Sequence, residues 1–269
     1  MNNETFRDWS RRAADWGVDY RAGLRDRPVR PAIAPGEIFR SIEVSPPELP
    51  EPMEKIFADF EEKIVPGMTH WQHPRFFAYF PANAAPVSVV AEYLVSAMAA
   101  QCMLWQTSPA ATELETRIVD WMRQALGLPE GFSGVIQDSA SSATLAAVLT
   151  MRERALDWQG NKNGLAGQGK LRVYSSDQVH TSIDRAIWVS GIGEENLVRI
   201  PVSGRFRAMD TAALEAAIVA DREAGLLPAG IIASAAPALA APTTSPRWPR
   251  SQSGRGFTCM STPPGPDRR

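Results

Sequence analysis

Three stretches of the sequence carry residue types and spacings that could do chemistry. In Ser175-Ser-Asp-Gln-Val-His-Thr-Ser-Ile-Asp-Arg-Ala186, His180 stands at a strand end or helix start. It is one of only three histidines in the chain. A histidine so placed could be a general acid or base, a ring stacked on a planar ligand, or a helix cap, and for a lone histidine the structural role is the default. In Gly134-Val-Ile-Gln-Asp-Ser-Ala-Ser-Ser-Ala-Thr144 a short apolar run leads through small residues into a helix. Such a turn offers backbone N–H groups, hydroxyls and a positive helix end to an anion, usually phosphate, although small residues there often serve packing alone. The third stretch is Met68 to Pro81, whose dense aromatics broken by prolines suit neither helix nor strand and read as an irregular wall of a pocket or interface. Ser141, His180 and Asp177 would make a hydrolase triad, but the Gly-x-Ser-x-Gly elbow that exposes such a serine is missing.

The elements around these stretches follow from periodicity. Phe6, Trp9, Ala13, Trp16 and Tyr20 recur at helical steps, as on a core-facing helix or one packing onto a second subunit. Seven prolines between Arg27 and Pro52 exclude a long helix there. Helices are predicted from Pro52 to Ile64, from Val87 to Met103 as a buried helix, and after an N-capping Ser108 as far as Gly127. From Gly134 onward, strands at Gly134–Gln137, Leu171–Tyr174, Leu197–Ile200 and Gly230–Ala233 alternate with helices ending near Trp158, spanning His180–Val189 and capped by Asp210. Alternation of this kind implies an α/β fold with a mostly parallel sheet covered by helices on both faces.

Composition narrows the function classes. A net charge of −2 gives no reason to expect nucleic acid or an anionic membrane as partner. No apolar run approaches the ~18 residues of a spanning helix, and the N-terminus has no signal-peptide pattern. Cys102 and Cys259 are the only cysteines and have no metal-ligand spacing, as expected of a protein of the reducing cytoplasm with no metal site.

Four motifs, in order and at matching spacing, give the sequence a resemblance to the aromatic-L-amino-acid decarboxylases among the group II pyridoxal-phosphate-dependent decarboxylases. They are Pro66-Gly-Met-Thr-His-Trp-Gln-His-Pro-Arg-Phe-Phe-Ala-Tyr-Phe-Pro81, Ser108-Pro-Ala-Ala-Thr-Glu-Leu-Glu115, the Gln137–Thr144 turn and Ser176-Asp-Gln-Val-His180. The resemblance runs from about residue 4 to 233. It implies a helical N-terminal dimerisation arm and pocket wall (residues 1–82) and part of a fold-type-I large domain (83–233). It also implies a homodimer that decarboxylates aromatic L-amino acids. Under it, Ala140 and Ser141 hold the phosphate of pyridoxal 5′-phosphate, and His180 stacks on the pyridine ring and assists protonation. Trp71, Tyr79, Phe80 and Pro81 line the substrate pocket, and Gln101 and Met103 reach into the neighbouring subunit's site. Gln101 and Met103 depart from the apolar and aromatic residues usual there, and Ala82 stands where a hydroxyl is common.

Two parts of that chemistry are not in the sequence. A lysine must bind the cofactor covalently and an aspartate must keep its pyridine nitrogen protonated. The resemblance places both beyond the Gly230–Ala233 strand. The four lysines, Lys55, Lys63, Lys162 and Lys170, all precede His180. Residues 235–269 contain no Val or Ile, seven prolines and a single acid, with no helical or strand period, as in a disordered tail. Back-translated with GC-rich codons and read from the third base of the Gly256 codon, Gly256 to Arg268 can read Leu-His-Leu-His-Val-Asp-Ala-Ala-Trp-Ala-Gly-Ser, a family motif. Treated likewise, Ser234 to Ser251 can read Gly-Gly-Thr-Gly-Thr-Gly followed by Asp-Asp-Val-Ala-Ala-Val-Ala-Glu-Val. The tail (234–269) is therefore expected to be out of frame, and the chain as written to be an inactive, truncated product. The competing class is a non-catalytic fragment that folds partly or only associates with other subunits.

Overall fold

A computed structural model describes residues 1–78, 84–204, 207–234 and 258–262. The chain divides into two compact units, Met1–Ala99 and Ala100–Arg269.

In the first unit, α1 (Asn3–Ala22) is capped by the Asn2 side chain, which accepts from the Thr5 amide at 2.8 Å. Its aromatic stripe packs within the unit. Trp9 lies 5.4 Å from Phe57 on α3 (Met53–Asp59), and Trp16 lies 5.0 Å from Phe60 at the start of a π-helical turn, Phe60–Ile64. The proline-rich connection holds only α2 (Glu37–Ser41), which fits between Pro35 and Pro46. The next helix, α4 (Pro86–Met98), is apolar but for the stripe of Ser88, Glu92 and Ser96, yet none of its residues is buried. Here the expectation of a buried helix fails: a helix of this composition belongs in an interior, but Val87, Val90, Leu94 and Met98 stand open to solvent.

The second unit begins with α5 (Pro109–Ala125), where Pro109 supplies the first helical residue but the Ser108 side chain makes no capping bond. Residues Gly134–Gln137 form no strand. The Ile136 amide instead donates to Glu115 Oε1 at 2.7 Å, a side-chain tie in place of a ladder. Then follow α6 (Ala140–Ala155), α7 (Gly160–Asn163), β1 (Leu171–Ser176), α8 (Ser182–Val189), β2 (Leu197–Ile200) and a small antiparallel pair, β3 (Val202–Ser203) and β4 (Ala208–Met209). The last described elements are α9 (Thr211–Glu223), β5 (Leu227–Ser234) and β6 (Thr258–Thr262). The parallel sheet runs β2-β1-β5-β6. Strand β6 comes from the stretch in which the sequence offers no strand period.

Period-two alternation puts β1 side chains on opposite faces. On one face Leu171 and Val173 join Val148 and Met151 of α6 and Ile183 and Ile187 of α8. On the other, Tyr174 joins Ile200, Ile231 and Leu214 of α9. A bulge opposite Arg172/Val173 lets Ala229 face the first cluster and Ile231 the second. Each fully buried aliphatic side chain contributes ~1.5–3 kcal/mol, so this three-layer core is what fixes the loops at the sheet's end. The helix before β5 is held at its start by Asp210, which accepts from the Ala213 amide at 3.0 Å.

Candidate functional site

From β1 the chain crosses through α8 to β2 on one side, and returns through α9 to β5 on the other side of β1. Strand order therefore reverses between β1 and β5. In open parallel sheets the crevice beyond the carboxyl ends of such a pair is where ligands are received. The loop that leaves β1 there, residues 177–181, carries His180.

The second wall of this edge is the N-terminus of α6. Helix α6 packs against α8 and β5, and Arg152 near its end donates to the Ser190 carbonyl at the end of α8, so both helices start towards the carboxyl ends of the strands. Leu145, one turn into α6, and Val179, next to His180, rest against the same core cluster. Ser139 caps the helix, its hydroxyl accepting from the Ser142 amide at 3.2 Å. Ala140 and Ser141 follow as the first two helical residues, and first-turn amides have no acceptor inside a helix. Both residues are exposed. Two free amides, the hydroxyl of Ser141 and the positive end of a sixteen-residue helix suit a phosphate dianion.

His180 is exposed as a whole residue, but one side of its ring is anchored. Nδ1 accepts from the Ser182 amide at 3.1 Å and lies 3.0 Å from the Ser182 hydroxyl. Ser182 itself is buried. The triad reading fails on this geometry, since a triad needs a carboxylate at Nδ1 and Ser182 occupies that place. Beneath the loop, Arg199 of β2 reaches Asp184 of α8 and places Nη1 3.4 Å from the Ser175 hydroxyl, tying the loop's two ends together. The Asp177 amide continues the ladder by donating to the Ile200 carbonyl at 3.2 Å.

The remaining sequence-derived residues are distributed as follows. Trp71 belongs to the first unit, its ring 4.9 Å from Phe76 and 41% of its surface exposed. Tyr79, Phe80 and Pro81 lie outside the described residues, as does Ala82. Gln101 and Met103 belong to the second unit, in the exposed connection ahead of α5. The start of α6, with Ala140 and Ser141, and the loop that carries His180 thus lie on the same side of the sheet. Sequence reasoning missed Ser182 and Arg199. The His-x-Ser spacing and a lone arginine inside the apolar Leu197–Ile200 run were the available signals. Among the described residues no helix is long and apolar enough to cross a membrane, and no His/Cys/Asp/Glu cluster could hold a metal.

Comparisons with known proteins agree with this architecture. Residues 35–239 match the pyridoxal-dependent decarboxylase conserved domain. The chain is 39% identical over 247 residues to an aromatic-L-amino-acid decarboxylase of Sus scrofa, covering 87% of this chain and 50% of that protein. It is 38% identical over 235 residues to a phenylacetaldehyde synthase of Arabidopsis thaliana, covering 85% and 47%. Among solved structures, Catharanthus roseus tryptophan decarboxylase in complex with L-tryptophan superposes with a TM-score of 0.81 at 34% identity, covering 87% of this chain and 51% of that one. The chain spans about half the length of the relatives it matches.

Proposed function

Because the chain belongs to the pyridoxal-dependent decarboxylase family, whose cofactor is pyridoxal 5′-phosphate, we propose that it is the front half of a carboxy-lyase acting on aromatic L-amino acids as a homodimer in the cytoplasm. The observation that supports this reading is an exposed, anchored His180 in the loop at the strand-order reversal of a parallel sheet, with the open N-terminus of α6 on the same side. Ala140 and Ser141 would take the phosphate through first-turn amides and a hydroxyl. His180 would lie against the pyridine ring and deliver a proton to the substrate carbon. When bound, the cofactor would supply an electron sink for the pair left on the substrate carbon as carbon dioxide departs.

On this reading Trp71, Tyr79, Phe80 and Pro81 form an apolar, aromatic wall that favours planar side chains. A glutamate carboxylate would be desolvated there without a partner, which costs far more than burying a neutral polar group. Gln101 and Met103 would complete the neighbouring subunit's pocket. The dimer would use the N-terminal segment of residues 1–82. That Catharanthus roseus tryptophan decarboxylase and Sus scrofa aromatic-L-amino-acid decarboxylase are among the relatives supports the aromatic substrate class.

A second reading applies to the chain as written and rests on its lysines. Lys55 is clamped between Glu51 (2.8 Å) and Asp59 (3.1 Å), and Lys63 lies 2.7 Å from Asp59. Lys162 and Lys170 precede the β1–α8 loop. None matches the lysine that binds the cofactor in the resemblance described above. The chain as written is then a non-catalytic partner or partly folded product, with residues 234–269 translated out of frame. Sequencing the gene around codon 234 tests this. The shifted frame is expected to encode His-Val-Asp-Ala-Ala-Trp-Ala-Gly without a stop before it, and a stop or a different sequence would refute it.

The test of the parent activity is carbon dioxide release from tryptophan, DOPA, phenylalanine, histidine and glutamate by the protein made from the corrected frame. Aromatic substrates are expected to dominate. A preference for glutamate or histidine would overturn the substrate class.

A further inference from the structure

The anchoring of His180 fixes more than the direction of its ring. A backbone amide can only donate, so the 3.1 Å bond from the Ser182 N–H requires a lone pair on Nδ1. The Ser182 hydroxyl, 3.0 Å away, finds its acceptor at the same nitrogen. In a neutral imidazole one nitrogen carries the hydrogen and the other accepts. We propose that Ser182 is a positioning residue that holds His180 as the tautomer protonated at Nε2, so the free edge of the ring presents a hydrogen-bond donor.

The local fold explains why Ser182 can do this. It is the first residue of α8, where amides have no acceptor inside the helix. Thr181, the residue before it, makes no side-chain capping bond, so Nδ1 of His180 takes the place of a cap. Ser182 is 6% exposed, and Ile183 and Ala186, which follow it in α8, are buried in the first core cluster. The two donors are therefore set by the core, while the ring they hold lies outside it. If the site is the cofactor site proposed above, the free edge of the ring offers whatever is bound there a hydrogen-bond donor at Nε2. An ordinary unanchored histidine populates both tautomers and would present an acceptor part of the time.

The tautomer can be read without cofactor or turnover, so its failure is separate from failure of the decarboxylase reading. The chain is labelled with ¹⁵N in its three imidazoles, and long-range ¹H–¹⁵N correlations are recorded above the histidine titration range. The His180 signals are identified by their loss in His180→Gln. One protonated nitrogen at Nε2 and one unprotonated nitrogen at Nδ1 are expected. A ring protonated at Nδ1, or an even exchange between tautomers, overturns the proposal. In Ser182→Ala, with the backbone donor left in place, the ratio of the Nε2–H to the Nδ1–H form is expected to fall roughly fivefold, the factor one hydrogen bond is worth. Ser182→Thr should restore it. An unchanged ratio in Ser182→Ala overturns the part assigned to the hydroxyl. Melting temperature and amide dispersion of each variant are followed alongside, because a purely structural role would move these and leave the tautomer ratio of the folded fraction unchanged. Pyridoxal phosphate binding, measured separately, decides the cofactor reading.

Discussion

The phenol of Tyr174 donates to Asp221 Oδ2 at 2.7 Å, and Arg172 Nε donates to the same oxygen at 3.1 Å. These bonds fasten α9 to β1 on the face of the sheet away from α6 and α8. Burial, reinforced by the bond to Asp221, raises the Tyr174 pKa far above its usual range, so the hydroxyl remains a donor at any working pH. Tyr174→Phe loses one bond and should cost ~1–3 kcal/mol, because Asp221 keeps Arg172. Asp221→Ala strips both donors of their acceptor and should cost more, ~3–5 kcal/mol. Urea unfolding of the two variants checks the order, and equal or reversed losses would show that the carboxylate is not the hub.

His70 should make the first unit sensitive to mild acid. Burial, then the nearby charges of Arg27 and His73, lower its pKa below the usual 6.5. Its Nδ1 lies 2.8 Å from the Tyr20 hydroxyl. A base whose pKa is depressed on folding binds its proton more readily when unfolded. Stability should therefore be level above about pH 6.5 and fall as the pH drops through the window below it. Unfolding midpoints at pH 7.5 and 5.5 are expected to differ for the native chain and to converge in His70→Gln. A native midpoint independent of pH would remove this role.

Anion binding at α6 can be separated from helix stability by a single charge. Ser141→Asp puts a carboxylate in the first turn, where the helix dipole welcomes it by ~0.3–1 kcal/mol. The same charge repels a phosphate held by those amides. Pyridoxal phosphate affinity should drop by at least about tenfold while thermal stability holds or rises slightly. Retained affinity, measured by absorbance titration, would place the phosphate elsewhere.

Borohydride trapping addresses the lysines. Ion pairing with Glu51 and Asp59 raises Lys55 to about 12, so its amine is protonated and a poor nucleophile at neutral pH. Chain as written, incubated with pyridoxal phosphate and reduced, should carry no stoichiometric adduct on any of Lys55, Lys63, Lys162 or Lys170. A single full-occupancy label on Lys162 or Lys170, together with decarboxylase activity, would overturn the non-catalytic reading.

In the corrected-frame protein, His180→Ala should lower the rate of carbon dioxide release by ~10²–10⁴-fold, as general acids typically do. Cofactor retention should change far less, because the α6 amides remain. Full activity in the variant would refute the role assigned to His180.

The parallel sheet was legible because its strands are short apolar runs separated by helices of constant period. β2 has the bounds read from the sequence, and Asp210 caps α9 as its side-chain type predicts. Gly134–Gln137 was misread because a short apolar run takes its structure from its partner, which here is a Glu115 side chain and no strand. The two-residue strands β3 and β4 are too short to show a period. α4 was read correctly as apolar and wrongly as buried, since periodicity reports what a surface prefers and says nothing of what covers it. At the site, His180 and the α6 turn stood out by residue type. Ser182 did not, because its part depends on a backbone amide, and every residue but proline has one.

Strand β5 has a consequence for how the protein behaves in concentrated solution. It is eight residues long, and between Gly230 and Ser234 its side away from β1 pairs, among the described residues, with β6. That stretch reads Gly230-Ile-Ile-Ala-Ser234, apolar, uncharged and free of proline. If the five residues of β6 peel away, a row of unpaired amides and carbonyls is presented on an uncharged edge, the template on which other chains add strands. Loss of the Thr258–Thr262 strand would therefore expose an edge that favours aggregation.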